Sequence, residues 1–191
     1  MSTDLRVLGI AGSLRQKSFN RALLRAAIEL QPAGMIIETT EIRDLPLYDE
    51  DVRAAGLPPS VQELRERVKA ADGILLVTPE YNFSVPGVLK NAIDWVSRPP
   101  SQPFSDKPLA IMGASGGASG TMRAQYHLRQ IAVFLDMHLL NKPEVFVRNS
   151  ASMFDADLRL QDEATRKHVA DMLVAFAAWI RRLRTETRPS K

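Results

Sequence analysis

The chain of 191 residues contains no cysteine, only three histidines and no apolar run long enough to span a bilayer. The absence of cysteine excludes disulfides, thiolate catalysis, iron–sulfur clusters and zinc ribbons, so any redox chemistry would need a bound cofactor. A net charge of +3, without a basic stripe interleaved with aromatics, predicts no nucleic-acid partner. The first residues lack the pattern of a secretory signal, so we expect a cytoplasmic protein with no membrane partner.

Short apolar runs that predict buried strands alternate with amphipathic segments that predict helices. The predicted strands cover residues 5–11, 35–42, 73–78, 108–113 and 144–147, and the predicted helices cover residues 20–30, 60–71, 88–96, 121–136 and 162–183. Ser60 and Glu63 have the spacing of a capping box, and a long loop is predicted before them, at residues 44–59. The alternation predicts an α/β fold, namely a flavodoxin-like three-layer sandwich with a five-stranded parallel sheet in the order 2-1-3-4-5. We expect a single domain over residues 1–191, with an ordered core at about 5–184.

The loop after the first strand, residues 12–19, has the composition of a phosphate site. In this strand order, ligands bind where the first and third strands end. Ser13 and Ser18 offer hydroxyl groups, Arg15 offers a guanidinium, and the following helix offers free N–H groups at its start. The alternative is that Ser18 only caps the helix while Arg15 and Lys17 are solvated. The loop is not a Walker A motif, because no Gly-Lys-Ser/Thr follows.

The loop after the third strand, residues 79–84, carries two aromatic rings, an amide and a hydroxyl between fixed backbone positions. Pro79 and Pro86 restrict the backbone, so N–H groups of residues 80–83 can address the edge of a ring such as a flavin. Asn82 can both donate and accept hydrogen bonds. The alternative is that Tyr81 and Phe83 are only packing residues.

Ser115, Gly116 and Gly117 lie in a glycine-rich loop after the fourth strand. This loop does not match the dinucleotide fingerprint G-x-G-x-x-G, and we predict that its backbone approaches a ligand edge instead. A simple turn is the alternative. His127, His138 and His168 show no metal-ligand spacing, and we expect no metal site.

The helices predicted at residues 88–96 and 121–136 are apolar on more than one face, which favours a homodimer interface beside the ligand site. Arg123, Arg129 and Glu144 are candidates for polar contacts there.

Three motifs of the chain together resemble the NAD(P)H-dependent FMN reductase family, in particular its chromate or quinone reductase and azoreductase branch. The motifs are Gly12-Ser-Leu-Arg-x-x-Ser-x-Asn20, Asp44-Leu-Pro-Leu-Tyr-Asp49 and Pro79-Glu-Tyr-Asn-Phe-Ser-Val-Pro-Gly-Val-Leu-Lys-Asn-Ala-Ile-Asp-Trp95. The resemblance implies a flavodoxin-like fold, bound FMN, and a homodimer or homotetramer. It also implies the cofactor contacts: a phosphate group of Ser13, Arg15, Ser18 and Asn20, with Phe19 among them, and a ring group of Pro79, Glu80, Tyr81, Asn82, Phe83, Ser115, Gly116 and Gly117. Residues 148–160 match no motif.

The resemblance further implies an enzyme in which NADPH or NADH passes a hydride to N5 of FMN. The electrons then go to small-molecule acceptors, namely quinones, azo compounds, free flavin or chromate, in a ping-pong scheme. No side chain is needed as an acid or base, so we expect no catalytic residue. A flavodoxin-type electron carrier and a non-enzymatic FMN-binding module are the alternatives. The net positive charge disfavours the carrier, because such carriers are usually strongly acidic.

Overall fold

The computed structural model describes residues 4–185, in which strands and helices alternate along the chain. The strands are β1 (Leu5–Ala11), β2 (Met35–Thr40), β3 (Gly73–Val77), β4 (Pro108–Ala114), β5 (His138–Leu139) and β6 (Val145–Val147). The helices are α1 (Phe19–Glu29), α2 (Glu50–Ala55), α3 (Pro59–Ala70), α4 (Gly87–Val96), α5 (Met122–Phe134), α6 (Ser150–Met153) and α7 (Glu163–Thr185). Within residues 4–185, no helix combines the length and the apolar character needed to cross a membrane.

The strands form a parallel sheet in the order β2-β1-β3-β4-β5, which confirms the predicted flavodoxin-like arrangement. Every residue of β3 and β4 is buried. Parallel strands need helical crossovers, which cover both faces of the sheet, and the central strands are therefore continuous apolar runs.

The fifth position in the sheet is shared by two short strands rather than one. Both pair with β4: His138 aligns with Pro108 near the start of β4, and Val145 aligns with Met112 near its end. The strand predicted at residues 144–147 corresponds to β6, whereas β5 was missed because a two-residue strand has no periodicity to detect. Pro143 lies between the two strands and has no N–H to continue the ladder.

Two apolar cores, one on each face of the sheet, complete the three layers. On one face α1 and α7 pack on alternate strand residues, and Leu23, Leu75 and Phe176 belong to the same buried cluster. On the other face α3, α4 and α5 pack on the intervening residues, with Leu64 and Ile93 among those against the sheet. The period-two alternation of strand side chains thus divides the apolar residues between the layers.

Several predicted boundaries were wrong. The capping box at Ser60 does not form, because α3 begins at Pro59 without a side-chain cap and the Ser60 hydroxyl instead donates to the carbonyl of Asp44. The fixed φ of proline suits the first position of a helix, so α3 begins at Pro59 and not at Ser60 as predicted. The loop predicted at residues 44–59 contains α2, whose N-cap is Asp49. The predicted second strand ends earlier, at Thr40.

Candidate functional site

Three loops leave the sheet side by side at the carboxyl ends of its central strands. The N–H of Gly12 donates to the carbonyl of Val77 at 2.8 Å, and the N–H of Thr78 donates to the carbonyl of Met112 at 2.9 Å. The N–H of Ser115 extends the same pattern to β6, with the carbonyl of Val147 at 3.0 Å. The loops after β1, β3 and β4, which sequence analysis selected separately, therefore lie along one edge.

The first loop buries its two serine side chains and exposes its two cationic side chains to solvent. Ser13 and Ser18 are buried, whereas Arg15 and Lys17 are exposed. The hydroxyl oxygen of Ser18 accepts the N–H groups of Asn20 and Arg21 at 3.2 and 3.3 Å, so Ser18 caps α1. Its O–H remains available as a donor, so capping and ligand binding are compatible.

Asn20 joins the first loop to the third. Its side-chain amide donates to the carbonyl of Ala114 at 2.9 Å and its Oδ1 accepts the N–H of Ala114 at 2.8 Å. The structure thus gives Asn20 a bridging role that its sequence motif did not indicate, and a phosphate contact for it stays a prediction. Phe19, beside it, packs its ring against Phe154 at a centroid distance of 5.3 Å.

The middle loop folds into a two-residue turn. Tyr81 and Ser84 exchange backbone hydrogen bonds of 3.1 and 2.9 Å, and the residues between them have positive φ, 50° at Asn82 and 64° at Phe83. Positive φ at both central positions is the pattern of a type I′ turn. Tyr81 and Phe83 are exposed, which argues against the alternative that they are only packing residues.

Glu80 directs its side chain away from solvent and onto the start of α5. Its Oε2 accepts the N–H groups of Arg123 and Ala124 at 2.9 and 3.1 Å, and its Oε1 pairs with Nη1 of Arg123 at 3.0 Å. The Glu80 side chain is only 7% exposed. Any contact of Glu80 with a ligand would therefore involve its backbone.

Two residues of α5 that were not predicted for the site lie against the middle loop. The guanidinium of Arg123 covers the ring of Phe83, with 3.9 Å from its carbon to the ring centroid. His127 Nδ1 lies 2.9 Å from the hydroxyl oxygen of Ser84. From the sequence, Arg123 was expected at a subunit interface and His127 at the surface or an interface, because nothing local in the sequence links α5 to residues 79–84.

The third loop combines an internal hydrogen bond with open space. The hydroxyl oxygen of Ser115 accepts the N–H of Gly117 at 3.1 Å. A Cβ placed on Gly116 would meet no atom within 4 Å, so a flat ligand could approach the backbone there. The N–H of Ser150 donates to the carbonyl of Ser115 at 3.1 Å, so α6 supports this loop. The segment at 148–160 that matched no motif therefore adjoins the site.

Gly113 lies where the middle loop, β4 and the start of α5 meet. A Cβ at this position would lie 2.2 Å from the carbonyl oxygen of Thr78 and 2.3 Å from the hydroxyl oxygen of Thr121. Contacts this short are sterically forbidden, so only glycine allows this approach.

Arg129 and Glu144, which were considered for a subunit interface, pair within the chain with 3.5 Å between Nη2 and Oε1. Burial raises the pKa of Glu144, but the hydrogen bond and charge of Lys142 and the charge of Arg129 outweigh it and bring the pKa below its ordinary value. Among residues 4–185, no group of three or more His, Asp or Glu side chains is arranged to hold a metal ion.

Comparison with known proteins identifies the family. The family model for NADPH-dependent FMN reductase matches residues 5–152. An NAD(P)H-dependent FMN reductase from Pseudomonas aeruginosa is 58% identical over 184 residues, covering 96% of this chain and 100% of the relative. A quinone reductase from Escherichia coli strain K12 is 45% identical over 187 residues, again covering 96% of this chain and 100% of the relative.

A solved structure agrees with these relatives. FerB, a flavoenzyme NAD(P)H:(acceptor) oxidoreductase from Paracoccus denitrificans, has a TM-score of 0.85 and 35% sequence identity, and the match covers 93% of this chain and 98% of that chain. The chain therefore belongs to the NADPH-dependent FMN reductase family, as its motifs predicted, and it is an oxidoreductase.

Proposed function

We propose that this enzyme binds FMN across the three loops, receives hydride from NADH or NADPH, and reduces quinones. The observation that carries the proposal is the meeting of a serine- and arginine-bearing helix start, an exposed aromatic turn and an open glycine loop on one edge of the sheet. The names of the relatives from Pseudomonas aeruginosa and Escherichia coli support the donor and the acceptor class.

The first loop fits the FMN phosphate by its donors. Ser13 and Ser18 would donate from their hydroxyl groups, and Arg15, which is exposed beside them, would add a charge-assisted bond. The N-terminus of α1 favours an anion through its dipole. Asn20 would hold the start of α1 in place through Ala114, and the second N–H of its amide would donate to the phosphate.

The other two loops fit the isoalloxazine ring. Pro79 and the backbone of Glu80 to Phe83 would line one side, where Tyr81 and Phe83 present exposed aromatic surface. The backbone of Ser115, Gly116 and Gly117 would meet another edge, since the space beside Gly116 is open.

The chemistry that bound FMN supplies is hydride acceptance from the nicotinamide and electron transfer to the acceptor. The protein would contribute position and electrostatics, so no acid or base among these side chains is required. The nicotinamide and then a flat acceptor would occupy the same exposed face of the flavin in turn, which favours a ping-pong scheme. The same openness would admit azo compounds, free flavin and chromate, with Arg15 and Lys17 attracting anions.

The experiment that tests this function is an anaerobic titration of the FMN-loaded protein, first with NADPH or NADH and then with a quinone. We expect the yellow colour to bleach and return, and steady-state rates at several quinone concentrations to give parallel double-reciprocal lines. Bound FMN that stays oxidised would instead favour a carrier or a binding module. Intersecting lines would contradict ping-pong turnover, and a protein that binds no FMN would overturn the proposal.

We also propose that α4 and α5 form a homodimer interface. Val133 and Phe134 are 75% and 84% exposed, and Tyr126 is exposed on the same helix. A groove of about 380 Å³ adjoins Phe134 between α4 and α5, and both apolar residues such as Ile131 and polar residues such as Arg98 line it. Exposed apolar surface next to a groove fits a self-complementary contact, in which each copy inserts its ring into the groove of the other.

Sedimentation of two variants tests the interface. Phe134→Glu should shift the protein to the monomer at micromolar concentration, because a charge would be buried. Val174→Glu, on the exposed face of α7, is the matched control and should leave the mass unchanged. A wild-type monomer would defeat the proposal, whereas a tetramer that Phe134→Glu reduces to dimers or monomers would extend it.

A further inference from the structure

We propose that Glu80 is a positioning residue that holds the Asn82–Phe83 turn in the shape in which it meets the flavin ring. The inference rests on the proposed FMN site, and it concerns what keeps one wall of that site in place. Glu80 acts through α5 and through Arg123, and its carboxylate needs no contact with the cofactor.

The turn needs such support because its backbone is strained. Asparagine tolerates left-handed φ values, but a bulky aromatic residue at positive φ is an outlier, and Phe83 has a φ of 64°. A residue held in such a region is strained and persists only when its surroundings impose it. The two backbone bonds between Tyr81 and Ser84 close the turn, but they do not anchor it to the rest of the protein.

The start of α5 anchors the turn at Glu80, in addition to the contact of 2.9 Å between Ser84 and His127 of the same helix. Two backbone N–H groups and one guanidinium group of α5 bind the carboxylate of Glu80, at 2.9, 3.1 and 3.0 Å. Helix α5 is fixed in turn by buried Ala124, Leu128 and Ala132. A carboxylate at a helix N-terminus also interacts favourably with the helix dipole. The residue two positions before Asn82 is therefore tied to a rigid element.

Arg123 links Glu80 to the ring of Phe83. Its Nη1 is held by Glu80 at 3.0 Å and also donates to the hydroxyl oxygen of Ser119 at 3.0 Å. Its guanidinium carbon lies 3.9 Å from the centroid of the Phe83 ring. The cation covers one ring face, which leaves Phe83 65% exposed on its other surfaces. Because Glu80 orients Arg123, loss of Glu80 would loosen the turn at its backbone and at its ring, and the contact of Ser84 with His127 would remain.

A simple helix cap would account for the contacts of Glu80 without any effect on the flavin, and the test must separate the two roles. The measurements are the dissociation constant of FMN from the purified protein, the absorption spectrum of bound FMN, and the melting temperature of the FMN-free protein. Asp162→Ala is the matched control, because Asp162 Oδ1 accepts the N–H of Thr165 at 2.8 Å at the start of α7, away from the turn.

We expect Glu80→Ala to weaken FMN binding about tenfold, which corresponds to release of a strained turn, and to alter the spectrum of bound FMN. Glu80→Gln should recover most of the affinity, because its amide oxygen can still accept the two N–H groups. Arg123→Met should weaken binding less than Glu80→Ala, since the helix cap remains. Asp162→Ala should lower the melting temperature without changing affinity or spectrum.

Unchanged affinity and spectrum in Glu80→Ala, with a lower melting temperature like that of Asp162→Ala, would reduce Glu80 to a helix cap and overturn the inference. Should Glu80→Ala fail to fold, Arg123→Met decides: wild-type affinity and spectrum in that variant would likewise overturn it. A wild-type protein that binds no FMN would instead overturn the proposed site, so the two failures are distinguishable.

Discussion

Asn20 and Ala114 exchange two hydrogen bonds across 94 residues of sequence, and these bonds tie the start of α1 to the end of β4. Asn20 is 3% exposed, so water cannot replace Ala114 as its partner. The phosphate-binding end of the proposed site is therefore fixed to the ring-binding end by one side chain.

We expect Asn20→Ala to lower the free energy of unfolding by about 1–3 kcal/mol, because it leaves the N–H and carbonyl of Ala114 buried and unpaired. Urea unfolding of the FMN-free protein measures this loss. Gln62→Ala, which removes an exposed amide from α3, is the control and should change the free energy little. Equal losses in the two variants would contradict a special role for Asn20.

Arg15 and Lys17 are both exposed cations of the first loop, but in the proposed site only Arg15 contacts the phosphate. Arg15→Ala should weaken FMN binding by about 1.5–3 kcal/mol, the range for a hydrogen bond to a charged group. Lys17→Ala should weaken it by less, because a solvated charge contributes only through screened attraction. Fluorescence titration of FMN at two salt concentrations measures both effects. Unchanged affinity in Arg15→Ala would remove Arg15 from the phosphate site.

Arg65, a residue of α3, caps the C-terminus of α4 with its side chain. It is 8% exposed, and its guanidinium donates to the carbonyls of Val96, Arg98 and Ser101 at 2.7, 3.0 and 2.7 Å. Burial lowers the pKa of Arg65 from its ordinary value. The side chain supplies a partner for the carbonyl of Val96 at the end of α4 and for two carbonyls of the segment that follows.

Arg65→Met should therefore lower the free energy of unfolding by about 1.5–3 kcal/mol, and Arg65→Lys should lower it by less because an ammonium can serve some of the same carbonyls. Lys69→Met, on the exposed side of α3, is the control. The measurement is denaturant unfolding, and a loss in Arg65→Met no larger than in the control would contradict this role.

The depressed pKa of Glu50 predicts how the stability of the fold depends on pH. Its hydrogen bonds with Arg53 and then with Tyr48 lower its pKa from 4.5 to about 2. A carboxyl group with a depressed folded-state pKa stabilises the fold above its unfolded pKa, and that stabilisation disappears as the pH falls through the folded value. The contribution of Glu50 should thus be present above about pH 4.5 and lost towards pH 2.

NMR titration of the Glu50 carboxyl carbon checks this value. Arg53→Gln removes the largest cause of the shift and should bring the pKa of Glu50 up towards 4.5. Arg67→Gln, a cation of α3 that pairs with Glu38 instead, should leave the pKa unchanged. A carboxyl that titrates at its ordinary value in the unsubstituted protein would contradict the hydrogen-bonded arrangement.

The sheet order could be predicted because each central strand is a continuous apolar run followed by a polar loop. The short elements could not: α2 and α6 have six and four residues, too few for a clear helical period. Pro59 also shows how a residue that fits the first turn can outweigh a capping pattern one position later.

The loops of the site could be predicted from their position after buried strands, but the partners of their side chains could not. From the sequence, Glu80 was predicted to lie beside the flavin ring. In the structure its carboxylate contacts Arg123 of α5, which is 43 residues away in sequence. Asn20 is a similar case, since its motif indicates a ligand contact, which stays a prediction, and gives no sign of its two bonds to Ala114. Long-range pairs of this kind leave no periodic trace in the sequence.

The close packing at Gly113 makes this position intolerant of any other residue, unlike the exposed tips of the loops. Backbone and side-chain atoms of Thr78 and Thr121 occupy the space that any Cβ at this position would need. The close approach of β3, β4 and the start of α5 is thus set by buried packing around a residue without a side chain, not by the exposed loop residues that would meet an acceptor. If the proposed site is correct, exchanging the tips of the loops should alter the range of acceptors, provided that this glycine is kept.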